Sequence, residues 1–501
     1  MQIKKKNLVF SGIGLIPLLI NAQATKPNVI FILADDLGWA DVGFNGSIFY
    51  ETPNINKLAS EGVQFTNGYA ACPVSSPTRV SIMSGKYPAR IQITNWIAGY
   101  QYGISKKQLS YYKLIAPDFP HNMPLEEITM AESFKNNGYK TYFIGKWHCA
   151  HDSAYYPQYQ GFDINLGGWL KGSPNGDATK GRGYYSPYNN PYLTDGPENE
   201  FLTDRLTNEA IEYFKNNNSS PFFLFLSYYA VHTPIQPKPE KVAYYKQKAI
   251  NMGLDTLPAF STDFDWFRSH PQPKWHWKER IVQSSPEYAA LVETLDENIG
   301  RLLSALSESG LDKETIIVFT SDNGGLSTAE GSPTSNLPLR GGKGWLYEGG
   351  IKEPYIIKAP GVTTPGSVCD IPVTSTDFYP TLLELAGIQP NQEQHVDGVS
   401  LVPALKGKKL KRKSIFWHYP HYGGKGDAPA SAIRKGDWKL LEFYETGKVE
   451  LYNLKNDISE KKELSQRYKS KAKRMLQELH TWQSNVNAKF PIENPDYEFQ
   501  K

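Results

Sequence analysis

Four apolar segments recur along the chain, and each is followed at once by charged or polar residues. They cover residues 28–34, 141–144, 221–227 and 315–320, and helical stretches and turn residues separate them. Strands of a parallel sheet that is buried on both faces read as nearly continuous apolar runs. The alternation therefore predicts an α/β fold, with a large, mostly parallel sheet sandwiched by helices.

Polar side chains stand directly after each of these segments. In an open α/β sheet the carboxyl ends of the strands line the ligand crevice, so we expect these side chains to converge on one site. They are Asp35 and Asp36 after the first segment, Lys146 and His148 after the second, His232 after the third, and Asp322 and Asn323 after the fourth.

Residues 1–24 are typical of a secretory signal peptide. Three lysines precede an apolar run at residues 8–20, and Ala22-Gln23-Ala24 forms a small-residue cleavage site. The apolar run is too short, and too interrupted by glycine and proline, to span a membrane. We expect export to the periplasm, with secretion into the medium as the alternative.

Net charge and cysteine content exclude several classes of protein. The chain of 501 residues has a formal charge of +3, and removing the leader's three lysines brings it to zero. No basic excess is left to attract nucleic acid or an anionic membrane. Three cysteines allow one disulfide at most, so the chain is not a disulfide-stapled scaffold.

The chain divides into two predicted domains after the leader. Residues 25–405 carry the α/β pattern, and the basic run at 406–413 is interpreted as a solvated connector. Residues 406–501 then show antiparallel strand patterns and a long terminal helix over 465–485. We predict a smaller α+β subdomain there, with an antiparallel sheet.

The stretch "ACPVSSPTRVSIMSG", residues 71–85, predicts a helix with an anion site at its start. Pro77 suits the first turn of a helix and Gly85 suits its end, so Ser75 lies at the N-terminus. Free backbone N–H groups and the helix dipole favour a sulfate or phosphate ester there. Arg79, one turn further, could brace the anion, whereas Cys72 lies outside this geometry. The stretch alone equally fits an ordinary serine-capped helix.

The motifs SSPTR at 75–79 and SGKYP at 84–88 resemble the signature of the formylglycine-dependent sulfatases, in the alkaline phosphatase-like superfamily. The resemblance covers nearly the whole chain after the leader, from "KPNVIFILADDLGWADVG" to "RKGDWKLLEFY". It implies that Ser75, rather than Cys72, is oxidised to formylglycine (3-oxoalanine), and the serine version implies an anaerobic sulfatase-maturing enzyme. One hydroxyl of the hydrated aldehyde would attack sulfur, and the other would later expel sulfate.

The same resemblance implies a metal site and a set of catalytic side chains. Only hard oxygen ligands are offered to one divalent cation, which favours Ca²⁺, with Mg²⁺ as the alternative. The implied ligands are Asp35, Asp36, Ser75, Asp322 and Asn323. In the catalytic set Lys146 and Lys343 contact the sulfate, His148 assists collapse of the hemiacetal, His232 protonates the leaving alcohol, and Arg79 braces the nucleophile.

The substrate follows from a narrower resemblance. The stretch "GKYPARIQITNWIAG", residues 85–99, is similar to the branch with arylsulfatase A and N-acetylgalactosamine 4-sulfatase, and the leader and serine motif to glycan sulfatases of Bacteroidetes. It implies exo-acting removal of sulfate from galactose or N-acetylgalactosamine, with the 4-position as the first candidate. Candidate sugar-binding residues are Trp96, Tyr100, His418 and His421, although packing is the preferred interpretation of the two histidines.

Two other functions compete with this one. A phosphatase or phosphodiesterase of the same superfamily would share the sheet and the nucleophile, but such enzymes generally use two zinc ions with several histidine ligands. A noncatalytic protein that binds sulfated glycans would keep the fold and leave Ser75 unoxidised. The complete set of predicted ligands and lysines favours the hydrolase.

Overall fold

The computed structural model describes residues 26–97, 110, 112–175, 183–216, 220–262 and 278–498. The predicted leader, the candidate residue Tyr100 and the other residues between these ranges lie outside the described part. Among the described residues, no helix is both long enough and apolar enough to cross a bilayer. Cys72, Cys149 and Cys369 are all described, and none is paired in a disulfide.

The described residues form strands that we number in chain order. They are β1 (Asn28–Ala34), β2 (Val63–Phe65), β3 (Gly68–Tyr69), β4 (Leu114–Ile115), β5 (Lys140–Gly145), β6 (Ile164–Leu166), β7 (Phe222–Ser227), β8 (Phe260–Ser261), β9 (Glu279–Arg280), β10 (Thr315–Ser321), β11 (Tyr355–Lys358), β12 (Ser367–Cys369), β13 (Val373–Thr374), β14 (Ser414–Tyr419), β15 (Ala430–Lys435), β16 (Trp438–Phe443), β17 (Lys448–Asn453) and β18 (Ile492–Glu493).

Helices cover both faces of the largest sheet and one face of the smaller one. They are α1 (Pro53–Glu61), α2 (Ser75–Ser84), α3 (Pro88–Ile91), α4 (Met130–Asn136), α5 (Leu202–Asn216), α6 (Pro239–Asn251), α7 (Pro286–Glu308), α8 (Glu348–Ile351), α9 (Phe378–Leu385), α10 (Val402–Leu405) and α11 (Lys469–Asn485).

The largest sheet has eight strands in the order β12-β2-β11-β10-β1-β7-β5-β6. Its centre is parallel: β1 pairs with β10 and β7, and β5 pairs with β7 and β6. On the far side β11 runs antiparallel to both β10 and β2. The four predicted apolar segments coincide with β1, β5, β7 and β10, which confirms the α/β sheet.

Two hydrophobic cores lie on opposite faces of this sheet. Ile30 and Ile32 of β1 pack into one core with residues of α1, α5, α6 and α7. Val29, Phe31 and Leu33 pack into the other core with residues of α2, α4 and α9. Because successive side chains of a strand point to opposite faces, a strand that is covered on both faces is apolar throughout.

A second sheet carries the C-terminal part of the chain. Strands β14 to β17 form an antiparallel meander in sequence order, and α11 packs against its face through Met475 and Leu479. The smaller α+β unit with an antiparallel sheet is confirmed. Its helix begins at Lys469 rather than at the predicted residue 465, because the residues before it form turns and Tyr468 has a non-helical φ of −119°.

A hydrophobic cluster joins the C-terminal sheet to the first part of the chain. Tyr69, Val74 and Trp345 from the first part of the chain pack with Trp417 and Tyr419 of β14. The N-terminus of α2 therefore rests against the C-terminal sheet.

Candidate active site

The carboxyl ends of the central strands bring the predicted polar side chains together. Asp35 and Asp36 follow β1, Asp322 and Asn323 follow β10, and Lys146 follows β5. All five residues are at most 2% exposed. The backbone N–H of Asp36 donates to Asp322 Oδ1 over 3.2 Å, across the gap between the two strand ends. The structure thus gathers these residues in one buried cluster.

Helix α2 positions Ser75 over this cluster. Val74 precedes the helix in extended conformation, Ser75 is its first residue, and Gly85 ends it with a φ of +70°. Ser75 Oγ lies 3.4 Å from Asp35 Oδ1 and 3.3 Å from Asn323 Oδ1. Lys146 Nζ donates to the same hydroxyl over 3.2 Å. Ser75 therefore joins the helix N-terminus to the acidic residues, as the sequence predicts.

Cys72 does not share this position. Its backbone N–H donates to Thr78 Oγ1, and burial raises the pKa of its thiol well above the ordinary value. A buried neutral thiol is a poor nucleophile. Between the two candidate nucleophiles, the geometry supports Ser75.

Each carboxylate of the cluster has a cationic partner. Lys146 Nζ lies 2.7 Å from both carboxylate oxygens of Asp35. Lys343 Nζ lies 2.7 Å from Asp36 Oδ1. Arg79 Nε lies 2.8 Å from Asp322 Oδ2, and Asn323 Nδ2 donates to Asp36 Oδ1 over 2.8 Å.

The cluster fits a hard divalent cation. Its donors are three carboxylates and an amide oxygen, the ligand types that Ca²⁺ and Mg²⁺ prefer. Burial raises the pKa of Asp35 well above its ordinary value, although Lys146 opposes the shift. An additional positive charge, such as a bound cation, would stabilise the ionised form of this carboxylate. His232 brings a single imidazole within 4.8 Å of Asp35 and Asp36. One histidine at this cluster does not match a two-zinc centre.

Arg79 lies beneath the cluster and ties three strand ends together. Besides the contact with Asp322, its Nη1 donates to Lys146 O over 3.0 Å and to Ser227 Oγ over 2.7 Å. Its Nη2 has no hydrogen-bond acceptor among the described residues and lies 3.6 Å from Asp35 Oδ1. A guanidinium fixed in this way holds the cluster together and keeps one donor for an anion.

His232 is oriented by the residue that follows it. Nδ1 lies 2.7 Å from Thr233 O, so this nitrogen carries the ring proton. Nε2 then faces Lys343 Nζ at 3.2 Å and Asp36 Oδ2 at 3.6 Å. Burial, with help from Lys343, lowers the pKa of His232 to about 4 although Asp36 opposes it. The neutral ring presents an acceptor nitrogen to the site.

His148 lines the same cavity as Ser75 and His232. It has a left-handed φ of +53°, and its Nε2 lies 3.2 Å from Ile97 O. Gly172 allows the close approach of this ring, since a Cβ there would lie 2.5 Å from His148 Cε1. Burial and the neighbouring Lys146 hold the pKa of His148 well below its ordinary value. The second histidine of the site is therefore also neutral.

A cavity of about 310 Å³ opens above Ser75. His148, His232 and Lys343 lie in its wall, with the apolar side chains of Val74, Ile97 and Leu170. Trp96 lines it too, and its Nε1 has no acceptor among the described residues. A larger cleft of about 1050 Å³ lies between α5, α6 and α7, but its walls hold none of the predicted site residues.

Two of the candidate sugar-binding residues lie elsewhere. His418 is 4% exposed and contacts Ser431 Oγ and Lys489 O inside the C-terminal part. His421 is fully buried against Thr94 Oγ1. Neither lines the cavity: His418 is buried within β14, and His421 is buried just beyond the end of that strand, so the geometry favours packing for both. Tyr100 is outside the described residues.

Sequence reasoning missed three charged residues of the cavity wall. Glu330 and Lys425 face one another there, and the exposed Lys171 lies in the same wall. Glu330 has a left-handed φ of +52°, and Lys425 stands in the glycine-rich run "GGKGD". Turn residues of this kind mark loops, but a loop's sequence does not reveal which cavity it reaches.

Comparisons with known proteins agree with this geometry. A model of the sulfatase family matches residues 27–388, and one described as N-sulphoglucosamine sulphohydrolase, C-terminal, matches residues 342–487. A sulfatase of Formosa agariphila is 33% identical, covering 97% of this chain and 94% of that protein. The N-acetylgalactosamine-6-sulfatase of Mus musculus is 29% identical, over 82% of this chain and 72% of that protein. The crystal structure of Ps i-CgsB in complex with k-i-k-neocarrahexaose is 29% identical, with a TM-score of 0.72 over 95% of this chain and 96% of that chain.

Proposed function

The chain belongs to the sulfatase family and is a sulfuric ester hydrolase, and on that premise we propose that it releases sulfate from the end of a sulfated glycan through Ser75 matured to formylglycine. One observation carries the proposal. Ser75 Oγ stands at the start of a buried helix, within 3.4 Å of a carboxylate, an amide and an ammonium group. Helix dipole and fixed cations together favour a tetrahedral anion there.

A metal ion and the matured side chain complete the proposed site. Asp35, Asp36, Asp322 and Asn323, with residue 75, would hold Ca²⁺, or alternatively Mg²⁺. The cation supplies polarisation of the sulfate oxygens and a lower pKa for a bound hydroxyl. The hydrated formylglycine supplies a nucleophilic hydroxyl and a second one that releases sulfate without attack by water at sulfur.

The chain's own cations bind and orient the sulfate in this proposal. Lys146 and Lys343 already stand on either side of the acidic cluster, at 2.7 Å from Asp35 and Asp36. Arg79 contributes from below its Nη2, which has no hydrogen-bond acceptor in the described part of the chain and lies 3.6 Å from Asp35 Oδ1. These side chains are held by buried partners, so they are in place before the negative charge on the sulfate oxygens is redistributed.

The two histidines move protons in this proposal. The bond from Nδ1 of His232 to Thr233 O leaves Nε2 aimed into the site, beside Lys343 Nζ at 3.2 Å. Nε2 would relay to the oxygen of the leaving alcohol a proton equivalent to the one that the attacking hydroxyl gives up. His148 is neutral, so its free Nδ1 accepts the proton that is given up when sulfate is released.

The size of the cavity supports action at a chain end. A volume of about 310 Å³ is at the small end of ligand cavities, which suits one sulfated sugar unit better than a segment of polymer. The relatives include an N-acetylgalactosamine-6-sulfatase and a protein solved with k-i-k-neocarrahexaose. We propose galactose or N-acetylgalactosamine as the sugar, with the 4-sulfate tested first and the 6-sulfate beside it.

The proposal extends to maturation, location and domains. Ser75 would be oxidised by an anaerobic sulfatase-maturing enzyme, and the leader would deliver the protein to the periplasm. Residues 25–405 would form the catalytic domain and residues 406–501 the C-terminal subdomain. Contacts across the shared cluster of Trp345 and Trp417 support a C-terminal part that buttresses the site.

Mass spectrometry of the 71–90 peptide, followed by sulfate-release assays, tests the proposal. Protein made with an anaerobic maturing enzyme should show residue 75 about 2 Da lighter than serine, or as the hydrate. It should then release sulfate from a sulfated galactose or N-acetylgalactosamine, and Ser75→Ala should not. An unmodified Ser75 would overturn the formylglycine mechanism. A modified protein that hydrolyses 4-nitrophenyl sulfate but none of the sugars would overturn the glycan substrate alone.

A further inference from the structure

A charged pair from two parts of the chain forms one wall of the cavity. Glu330 belongs to the loop after β10, and Lys425 to the loop between β14 and β15. Lys425 Nζ lies 3.2 Å from Glu330 Oε1, with side-chain exposures of 9% and 37%. Glu330 Oε2 accepts from Thr233 Oγ1 over 2.8 Å, next to His232. The pair therefore stands beside His232, the residue proposed to protonate the leaving alcohol.

Neighbouring residues fix both the backbone and the side-chain stem of Lys425. Its carbonyl accepts from Thr328 Oγ1 over 3.0 Å and from Trp345 Nε1 over 3.2 Å, and its N–H donates to Asp427 Oδ1. Its stem passes Gly344, where an added Cβ would lie 3.1 Å from Lys425 Cδ. These contacts hold the ammonium group of Lys425 in one position, and a residue that contacts a ligand must be held in this way.

The charge of this wall differs from that of the rest of the cavity. The other charged or titratable side chains that line it are Lys171, Lys343, His148 and His232, and Glu330 is the one carboxylate among the described lining residues. Burial opposes ionisation of Glu330, but Lys425 and Lys343 hold its pKa well below the ordinary value. Glu330 therefore keeps a negative charge on the wall, which neutralises Lys425.

We propose that Glu330 and Lys425 read the neutral hydroxyl groups of the sugar and reject sugars that carry a second anionic group beside the scissile sulfate. The proposal rests on the proposed function. The carboxylate accepts a hydrogen bond from one hydroxyl, and the ammonium group donates to its neighbour. A second sulfate at this wall cannot donate to Glu330, so that hydrogen bond is lost, and the sulfate also meets the like charge of the carboxylate. Both effects disfavour binding, although Lys425 can still donate to a sulfate oxygen.

The test compares monosulfated and disulfated sugars. The substrates are the 4-sulfate, the 6-sulfate and the 4,6-disulfate of galactose and of N-acetylgalactosamine, with 4-nitrophenyl sulfate as a substrate without sugar hydroxyls. We expect matured wild-type protein to prefer its best monosulfate to the matching disulfate by about tenfold or more in kcat/KM. Equal turnover of the two would overturn the inference.

Two variants should change this preference in opposite directions. Glu330→Gln removes the like charge and should lower the ratio of kcat/KM for the monosulfate to kcat/KM for the disulfate by about tenfold. Lys425→Met leaves the carboxylate without its cationic partner and should raise this ratio. A role limited to holding the two loops together would shift both variants the same way on every substrate, 4-nitrophenyl sulfate included, and that result would overturn the inference.

A matched control and a separate readout distinguish failure of this inference from failure of the proposed sugar substrate. Glu61 pairs with Lys358 at 2.8 Å and is 36% exposed, like Glu330, but lies at the end of α1, outside the cavity wall. Glu61→Gln should leave the preference unchanged. If the protein hydrolyses 4-nitrophenyl sulfate and none of the sugars, the sugar substrate fails, and this inference with it. If it hydrolyses the monosulfate without discrimination, this inference alone fails.

Discussion

Arg79 shows how one buried residue supports several parts of the site. It contacts the ends of β5, β7 and β10 through Lys146 O, Ser227 Oγ and Asp322. Removing one partner of a buried ion pair leaves an uncompensated charge, so Arg79→Met should lower the free energy of unfolding by about 3–5 kcal/mol. Urea unfolding measures this loss. The loss in free energy of unfolding should be larger than the loss caused by Arg205→Met, because the partly exposed ion pair between Arg205 and Glu209 contributes about 1 kcal/mol or less.

Gly344 offers a prediction with a close internal control. Gly344 and Gly310 both have left-handed φ, +94° and +73°, but an added Cβ meets Lys425 at the first and nothing within 4 Å at the second. Gly310→Ala should cost about 1–2 kcal/mol from backbone strain alone. Gly344→Ala should cost more and should also raise KM for the sugar sulfate, because it displaces the Lys425 stem. Equal stabilities and equal KM values in the two variants would contradict this account.

Sequence reasoning at this scale succeeded where a residue's place follows from its strand or helix. Asp35, Lys146 and Asp322 come directly after strands, and Ser75 begins a helix marked by Pro77 and Gly85, so their convergence could be predicted. Glu330 and Lys425 come from loops, and the distance between them depends on how two sheets pack. His418 has the same chemistry as a sugar-binding histidine, and only its burial within the C-terminal part separates the two roles.

At the scale of elements, α1 depends on a carboxylate from another helix. Thr52 makes no side-chain cap bond, and Asp296 of α7 instead accepts the backbone N–H groups of Asn54 and Ile55, at 3.1 and 2.8 Å. Three hydrogen bonds partly offset the desolvation of this carboxylate, yet burial raises its pKa to about 6. Asp296 therefore caps α1 from across the interface between the two helices.

This raised pKa predicts how stability changes with pH. Because folded Asp296 binds its proton more tightly than the unfolded chain does, its contribution is fully present below about pH 4 and is lost as pH rises through about 6. Relative to Asp296→Asn, wild-type protein should lose about 3 kcal/mol of unfolding free energy between pH 4 and pH 7. Urea titrations of both proteins across this range measure the difference. A difference that does not vary with pH would contradict the assignment.

The elements themselves were largely predictable, for reasons visible in β1 and α11. Residues 28–34 are all buried, so their apolar run signals a central strand without ambiguity. The sequence pattern predicts the start of the terminal helix four residues too early, since Ser465 and its neighbours suit a helix by composition but form turns before Lys469. Helix starts depend on backbone angles at the cap, which composition specifies poorly.

At the scale of the whole molecule, a buried ion network joins the C-terminal sheet to the first part of the chain. Lys439 Nζ of β16 lies 3.0 Å from Glu348 of α8 and 2.9 Å from Glu460, and all three side chains are fully buried. Lys439→Met removes this cation from both carboxylates and leaves Glu348 with Arg434 at 4.0 Å. It should lower the free energy of unfolding by about 3–5 kcal/mol.

A neighbouring lysine provides the comparison for this prediction. Lys435 of β15 is 45% exposed and pairs with Glu478, so Lys435→Met should cost about 1 kcal/mol or less. Tryptophan fluorescence during urea unfolding reports on both variants, because Trp345 and Trp417 lie in the shared cluster. Similar losses in the two variants would mean that the buried network does not hold the C-terminal sheet to the first part of the chain.

The burial of Ser75 in the folded protein limits when a modifying enzyme can reach its side chain. Ser75 is 2% exposed, every residue of α2 is buried, and its neighbour Asn323 is 248 positions away in the chain. Under the proposed maturation, an oxidising enzyme that needs the extended peptide would reach it only until β10, which precedes Asn323, docks. Oxidation and folding would then compete for the same nascent chain, and the fraction of active molecules in a preparation would record which was faster. Conditions that slow folding without unfolding the product should raise that fraction.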